Sequence, residues 1–283
     1  MENIYFTPYK VSTITCNVDL GVNINLITLY ENFNIEDKSK FIWIYYPKIV
    51  EGENKRGVYP KKKRNVKETT KKTSFDNQVT VLYKCDNYPN LKIFKNGNIQ
   101  ITGVKNKDDV RIIVDQVIEE VKRIHKIKSE ISSNEDFIDK IGFHNFHIRM
   151  INTDFKTYCN NEYTEKFLIR RKVLHKILIS EDYNNKCSFE PGKYHGVKLE
   201  FFWNSLKEKQ DGICCCSDYC FGKNRPTGTN CKKITIAIFE SGSVLITGGI
   251  SFQQIDDAYN YITTVFRNHK EQLKKSDLTN LIC

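Results

Sequence analysis

Two stretches of this chain carry the same alternation of apolar and polar positions. Phe94-Lys-Asn-Gly97-Asn-Ile99-Gln-Ile101-Thr102-Gly103 returns as Phe239-Glu-Ser-Gly242-Ser-Val244-Leu-Ile246-Thr247-Gly248, with an offset of 145 residues at every matched position. A period of two on either side of a central glycine predicts a β-hairpin in each copy. After each hairpin the apolar period lengthens to that of a helix, at Val110, Ile113, Val117 and Val121 and again at Ile255, Ala258, Ile262 and Phe266. Alternation sorts each hairpin into two faces. Ile93, Ile99 and Ile101, with Ile238, Val244 and Ile246, suit packing under the long helices. Phe94, Gln100 and Thr102, with Phe239, Leu245 and Thr247, occupy the opposite face, which stays open if helices cover one side only.

Upstream, residues 41–46 and 197–203 read as further strands, residues 11–18 and 146–153 as opening strands, and residues 23–33 and 164–179 as short helices. The half-repeat is therefore strand, helix, several antiparallel strands and a long helix, an α+β class. The first repeat spans about residues 1–135 and the second 136–283. The offset falls to 135 between Asp19 and Asp154 and rises to 153 between Phe41 and Tyr194, so insertions differ between the copies. One, near residues 50–76, is basic; the other, near residues 204–231, is rich in Cys, Gly and Asn; both are expected as loops at the rim of a sheet.

With 40% hydrophobic residues in 283, the chain can bury a core, and Lys+Arg exceed Asp+Glu by 44 to 34, favouring an anionic partner, nucleic acid before membrane surface. The start of the chain lacks the pattern of a secretory signal and its longest apolar run is too short to span a bilayer. An intracellular location is expected, and with it thiol or metal-ligand roles for the cysteines. Cys214, Cys215, Cys216, Cys220 and Cys231 cluster in the second insertion, with Cys187 as a candidate neighbour. Cys214, Cys216, Cys220 and Cys231 are candidate ligands of a structural zinc, the only cofactor expected, against the alternative of free thiols in a loop. The lysines and arginine of residues 61–72 suit a solvated loop, a phosphate contact beside the groove or a nuclear import signal. His144 and His147 lack metal-ligand spacing, and no nucleophile elbow, P-loop or dinucleotide fingerprint occurs, so no catalytic residue is assigned and the chain is expected not to be an enzyme.

The doubled Phe-x-x-Gly-x-aliphatic-x-aliphatic-Thr-Gly motif, each copy followed by a helix, resembles the signature of the TATA-box-binding protein family. Ile14-Thr-Cys-Asn-Val-Asp-Leu-Gly21 is similar to that family's opening strand, and Ser188-Phe-Glu-Pro-Gly-Lys-Tyr-His-Gly196 to its second-repeat stirrup. The likeness runs from about residue 11 to residue 275; both long insertions are absent from the compact family core, and diverged members occur in large DNA viruses. The resemblance implies a saddle of two pseudo-symmetric repeats whose open sheet lies on the DNA minor groove; this family is itself the type example of apolar wedges that kink DNA. By position it implies wedge pairs Phe41 with Phe94 and Tyr194 with Phe239, the tyrosine wedging less deeply because its hydroxyl needs a partner. Thr102 and Thr247 would offer hydroxyls to minor-groove acceptors, beside Gln100 and Leu245.

The family's central Asn pair falls here on Thr13 and on Ile148 or Met150; Thr15, Asn17 and Asn152 lie close by, and loss of that Asn pair puts strict TATA preference in doubt. The resemblance further implies AT-rich promoter DNA as ligand, and partners resembling transcription factors IIB and IIA and RNA polymerase, with Glu190 in the stirrup as a partner contact. It places the protein in a nucleus or a cytoplasmic viral factory. Two rivals stand beside this reading: an accessory module of a DNA-repair or ribonuclease-type enzyme, and a protein-interaction saddle whose aromatics bind a polypeptide. The second is favoured if Phe41, Phe94, Tyr194 and Phe239 are buried or not coplanar.

Overall fold

The computed structural model describes residues 3–36, 39–49, 53–60, 77–85, 87–217, 220–225 and 229–275; the basic run at residues 61–72 lies outside them. In chain order the elements are β1 (Tyr5–Phe6), β2 (Lys10–Asp19), α1 (Leu26–Asn32), β3 (Phe41–Tyr45), β4 (Lys55–Gly57), β5 (Gln78–Tyr83), β6 (Asn90–Phe94), β7 (Asn98–Val104), α2 (Lys107–Ile127) and α3 (Phe137–Lys140). There follow β8 (His144–Tyr158), α4 (Arg171–Ile179), β9 (Lys186–Ser188), β10 (Val197–Asn204), β11 (Lys223–Arg225), β12 (Thr229–Ile238), β13 (Ser243–Gly249), α5 (Phe252–Asn268) and α6 (Lys270–Leu273). The chain divides into two compact units, Thr13–Arg149 and Met1–Ser12 with Met150–Cys283. The sequence had set the boundary between repeats near residue 135; the division falls within β8.

In the first unit the strands run in the order β4, β3, β5, β6, β7, β2, each pair antiparallel. Register fixes the two faces of this sheet. Ile44, Val81, Leu91, Ile101 and Cys16 form one cross-strand row, and Val79, Ile93, Ile99 and Val18 the next; all are fully buried. Helix α2 covers this face with Val110, Ile113, Val117 and Val121, the residues at helical spacing. Its ends follow from the sequence: Asn106 accepts from Asp109 N–H at 2.8 Å, Asp108 and Asp109 occupy the first turn, and His125 and Lys126 the last.

The second unit repeats the plan, with strand order β9, β10, β12, β13, β8, β1 pairing with β8 and β11 with β12. Its buried rows are Leu199, Ile236, Ile246, Thr153 and Val197, Ile238, Val244, Phe155, under Ile255, Ala258, Ile262 and Phe266 of α5. Ser251 caps α5 by accepting from Gln254 N–H, while the Gln254 side chain accepts from Ile250 N–H. Both hairpins turn alike. Gly97 and Gly242 have φ of 80° and 77° and donate to Phe94 and Phe239 carbonyls, and a Cβ would lie 2.1 Å from Val22 O or 2.3 Å from Thr157 Oγ1.

Three expectations need correction. The strand beside the first hairpin is β5, which the sequence reading did not assign. Part of the first insertion is ordered sheet, because β4 pairs with β3 and Arg56 of β4 donates to the Phe33 carbonyl at 3.0 Å and to that of Tyr30 at the end of α1. Finally, α4 starts at Arg171 and not near residue 164, since Phe167 N–H bonds to Thr157 O and Ile169 N–H to Glu240 O, holding that stretch extended.

Candidate nucleic-acid interface

The face of each sheet opposite its long helix carries the candidate residues. In the first unit one row across this face reads Tyr45, Thr80, Lys92, Gln100, Asn17, and the next reads Trp43, Leu82, Asn90, Thr102, Thr15. Phe94 pairs with Gln78 at the end of the same face. Phe94, Lys92 and Gln100 are partly exposed and Thr102 is exposed. Thr15 is almost covered, its hydroxyl 3.4 Å from that of Thr102.

Phe41 is not on this face. It is 5% exposed and packs edge to face on Phe33 at 5.0 Å and on Tyr83 at 5.5 Å between ring centroids. The cause is an irregularity in register: Phe41 pairs with Tyr83 but Trp43 with Leu82, so one residue of β3 is unmatched and the alternation changes parity. Strict alternation would have set Phe41 beside Trp43 and Tyr45. Those two instead stack on each other at 5.8 Å and 14° on the open side, with Tyr59 edge-on to Trp43 at 5.0 Å. They are the aromatics that the sequence reading missed, and the signal was their alternation with Ile44.

In the second unit one row reads Lys198, Ala237, Leu245, Asp154 and the next Glu200, Thr235, Thr247, Asn152. Leu245, Thr247 and Phe239 are partly exposed and Tyr194 is 43% exposed. The turn carrying Tyr194 is tied down from below: Arg171, at the start of α4, donates to Glu240 at 2.8 Å and to the His195 carbonyl, and lies 5.4 Å over the Phe189 ring. Lys275 also binds Glu240, at 2.6 Å, and its hydrogen bond, followed by that of Arg171, holds the Glu240 carboxyl below the usual glutamate range. Glu190 is exposed on the same turn and pairs with Lys193 at 2.6 Å.

Met150 is exposed at the edge of the second unit, and Thr13 lies partly exposed in the first. The Thr13 hydroxyl oxygen and the Oδ1 atoms of Asn17 and Asn152 are buried with no hydrogen-bond partner among the described residues. These three polar atoms are thus not consumed by pairing among the described residues, an uncommon state for a folded chain. Charges of both signs lie here. Glu200 is held by Lys186 at 2.9 Å and Lys233 at 3.3 Å; burial alone would raise its carboxyl, but the two lysines outweigh that and keep it below the usual range. Asp154 accepts from Ser12 Oγ at 2.8 Å. Lys198 is exposed with no carboxylate partner within salt-bridge distance among the described residues.

The cysteines of the second insertion gather beyond Glu200 and Thr235 along the same strands, where Cys231 faces Asn204. The Sγ atoms of Cys214, Cys216, Cys220 and Cys231 all lie within 4.8 Å of one another, whereas Cys187 of β9 pairs through its backbone with Leu199 of β10 and is not part of the group.

No family model matches the chain. It is 30% identical over 282 residues to a protein of Acanthamoeba polyphaga mimivirus described as "TATA-box-binding protein-like", and the match covers 94% of this chain and 66% of that protein. The chain thus spans about two thirds of that relative's length. Among solved structures, Methanococcus jannaschii TBP aligns over 94% of this chain and 99% of its own, with a TM-score of 0.46 and 16% identity. No helix of the described residues is long and apolar enough to cross a membrane. The doubled hairpin with its following helix, present in both units, and the similarity running along nearly the whole chain place this protein in the TATA-box-binding protein-like family.

Proposed function

We propose that the chain binds double-stranded DNA through the helix-free sheet face of each unit, inserting aromatic side chains at the minor groove and bending the duplex, as a transcription initiation factor that catalyses no reaction. The observation that carries this reading is the Tyr194–Phe239 pair, two aromatic rings side by side at the edge of an open sheet face and held there by Arg171 and Glu240. Phe94 holds the matching position in the first unit, its carbonyl accepting from Gly97 N–H as that of Phe239 does from Gly242 N–H. Thr102 and Thr247 present hydroxyls able to donate to the acceptors that A·T and T·A pairs both show in the minor groove. Lys92 and Lys198 supply phosphate contacts, in a chain of net charge +10. With Phe41 buried, Phe94 is the wedge of the first unit, and Trp43 and Tyr45 extend its aromatic edge.

In this reading Glu190 and the helices that cover the opposite face of each sheet contact protein partners resembling transcription factors IIB and IIA and the polymerase. AT-rich promoter DNA is the preferred ligand. The test is a binding and bending assay on AT-rich and GC-rich duplexes with the wild-type chain and the Phe94→Ala, Phe239→Ala double variant. Tighter, more bent complexes of the wild type on AT-rich DNA support the proposal; equal and unbent binding by both proteins ends it.

A further inference from the structure

We propose that Cys214, Cys216, Cys220 and Cys231 bind one structural zinc ion, which anchors the second insertion to the edge of the second unit's sheet. The first ground is distance. A zinc ion 2.3 Å from each of four tetrahedrally placed thiolates sets the sulfurs about 3.8 Å apart. Cys214 Sγ lies 3.8 Å and Cys216 Sγ 3.4 Å from Cys231 Sγ, and no pair among the four exceeds 4.8 Å. A disulfide needs about 2.05 Å, so these contacts are of the wrong length for covalent pairs.

The second ground is the setting of the sulfurs. Cys231 is fully buried near the start of β12, opposite Asn204 at the end of β10. The Asn204 amide donates to Cys231 Sγ at 3.4 Å and Gly222 N–H donates to Cys220 Sγ at 3.2 Å. Hydrogen bonds from amides to sulfur favour the thiolate and orient it, as the outer partners of metal ligands do. Glycine at 222 lets the segment lie against β12, since a Cβ there would meet Lys233 Cβ at 2.3 Å while Lys233 N–H donates to the Gly222 carbonyl at 2.8 Å.

The third ground is what the insertion lacks. Among its described residues, Leu206 at 78% and Phe221 at 66% exposure face solvent and Ile213 is only half-buried, so these side chains supply little core to hold a fixed structure. Short segments in that position are commonly held by a metal or a disulfide. Four thiolates in a tetrahedron select zinc among the abundant divalent ions, with iron as the other metal that accepts this ligand set. Cys215 lies 4.0 Å from Cys231 but outside the mutual group; it takes the Asn204 amide and serves as the internal control.

The experiment measures metal by atomic emission in the full chain purified under reducing conditions from zinc-supplemented cells, for wild type and for Cys220→Ser, Cys231→Ser and Cys215→Ser. About one zinc per wild-type chain is expected, retained in Cys215→Ser and lost from Cys220→Ser and Cys231→Ser. Because Cys231 is buried and its variant can fail to fold, a second measurement titrates Co²⁺ alone into the chelator-treated wild type and Cys220→Ser. A tetrahedral thiolate spectrum in the first and none in the second supports the site. Absence of zinc from the wild type with no such spectrum, iron in its place, or full zinc retention in Cys220→Ser overturns the proposal.

Discussion

The ring of Tyr194 meets that of Phe239 edge to face, with centroids 5.8 Å apart and planes at 60°, over the bare Cα of Gly196. A Cβ at residue 196 would lie 2.9 Å from Tyr194 Cε1 and 3.2 Å from Phe239 Cε1, so glycine is what lets both rings sit there. Gly196→Ala is expected to part the rings and to lose about 1 kcal/mol of DNA affinity, a factor of roughly five, with the chain still folded. Fluorescence anisotropy on a labelled duplex, beside a thermal melt of the free protein, reads both; unchanged affinity would show that the ring pair is not an element of the interface.

Phe41 and Phe239 are expected to separate stability from binding. Phe41→Ala removes a ring buried against Phe33 and Tyr83 and is expected to cost about 3–5 kcal/mol of folding free energy. Phe239→Ala, on the open face, is expected to cost little stability and at least tenfold in affinity for bent DNA. Urea denaturation of both variants with binding under native conditions checks the pair; the reverse pattern would return Phe41 to the interface.

Lys92 stands between Thr80 and Gln100 on the open face of the first unit. If it meets a phosphate, Lys92→Gln weakens binding to all sequences alike and lowers the slope of log K against log salt by about one. Titrations at several salt concentrations on AT-rich and GC-rich duplexes measure that slope, and an unchanged value would remove Lys92 from the contact.

Glu200 carries a pH prediction. Its carboxyl lies below the ordinary range in the folded chain, since hydrogen bonds from Lys186 and Lys233 outweigh the opposing effect of burial. A depressed folded value means that the stabilisation is fully present above the unfolded glutamate value of about 4.3 and disappears as pH falls through the folded value. Wild type is thus expected to exceed Glu200→Gln in stability at neutral pH, with the gap closing below about pH 4. Chemical denaturation of both proteins across that range tests it, and a gap independent of pH contradicts the assignment.

Helix α2 depends on Asn106, whose side chain accepts from Asp109 N–H. Asn106→Ala is expected to cost about 1 kcal/mol, and Asn106→Ser to recover most of it. Calorimetric melting of the two variants decides between a cap and a residue replaceable without cost.

The hairpins, the long helices and the two faces of each hairpin were legible because each is written in a local period. Ile99 and Ile101 alternate with Asn98, Gln100 and Thr102, and the residues at 110, 113, 117 and 121 return every three or four positions, with no distant contact required. Gly97 and Gly242 were legible for the same reason, since a tight turn is set within a few residues. The cysteines were legible as a cluster in sequence, but their Sγ distances depend on where β12 begins and on Asn204 facing Cys231 across the strand pair.

Sequence alone therefore determined the repeated hairpin, the long helix that follows it and the buried face of each hairpin, because side chains a few residues apart settle those preferences. Tertiary pairing decided which aromatics meet solvent. Phe41 turned inward because one unmatched residue in β3 changes parity only when β5, from beyond the first insertion, lies beside it; Trp43 and Tyr45 took the open side as a result. A strand's two faces alternate by local geometry, but which residue starts the alternation is set by its hydrogen-bonded neighbour.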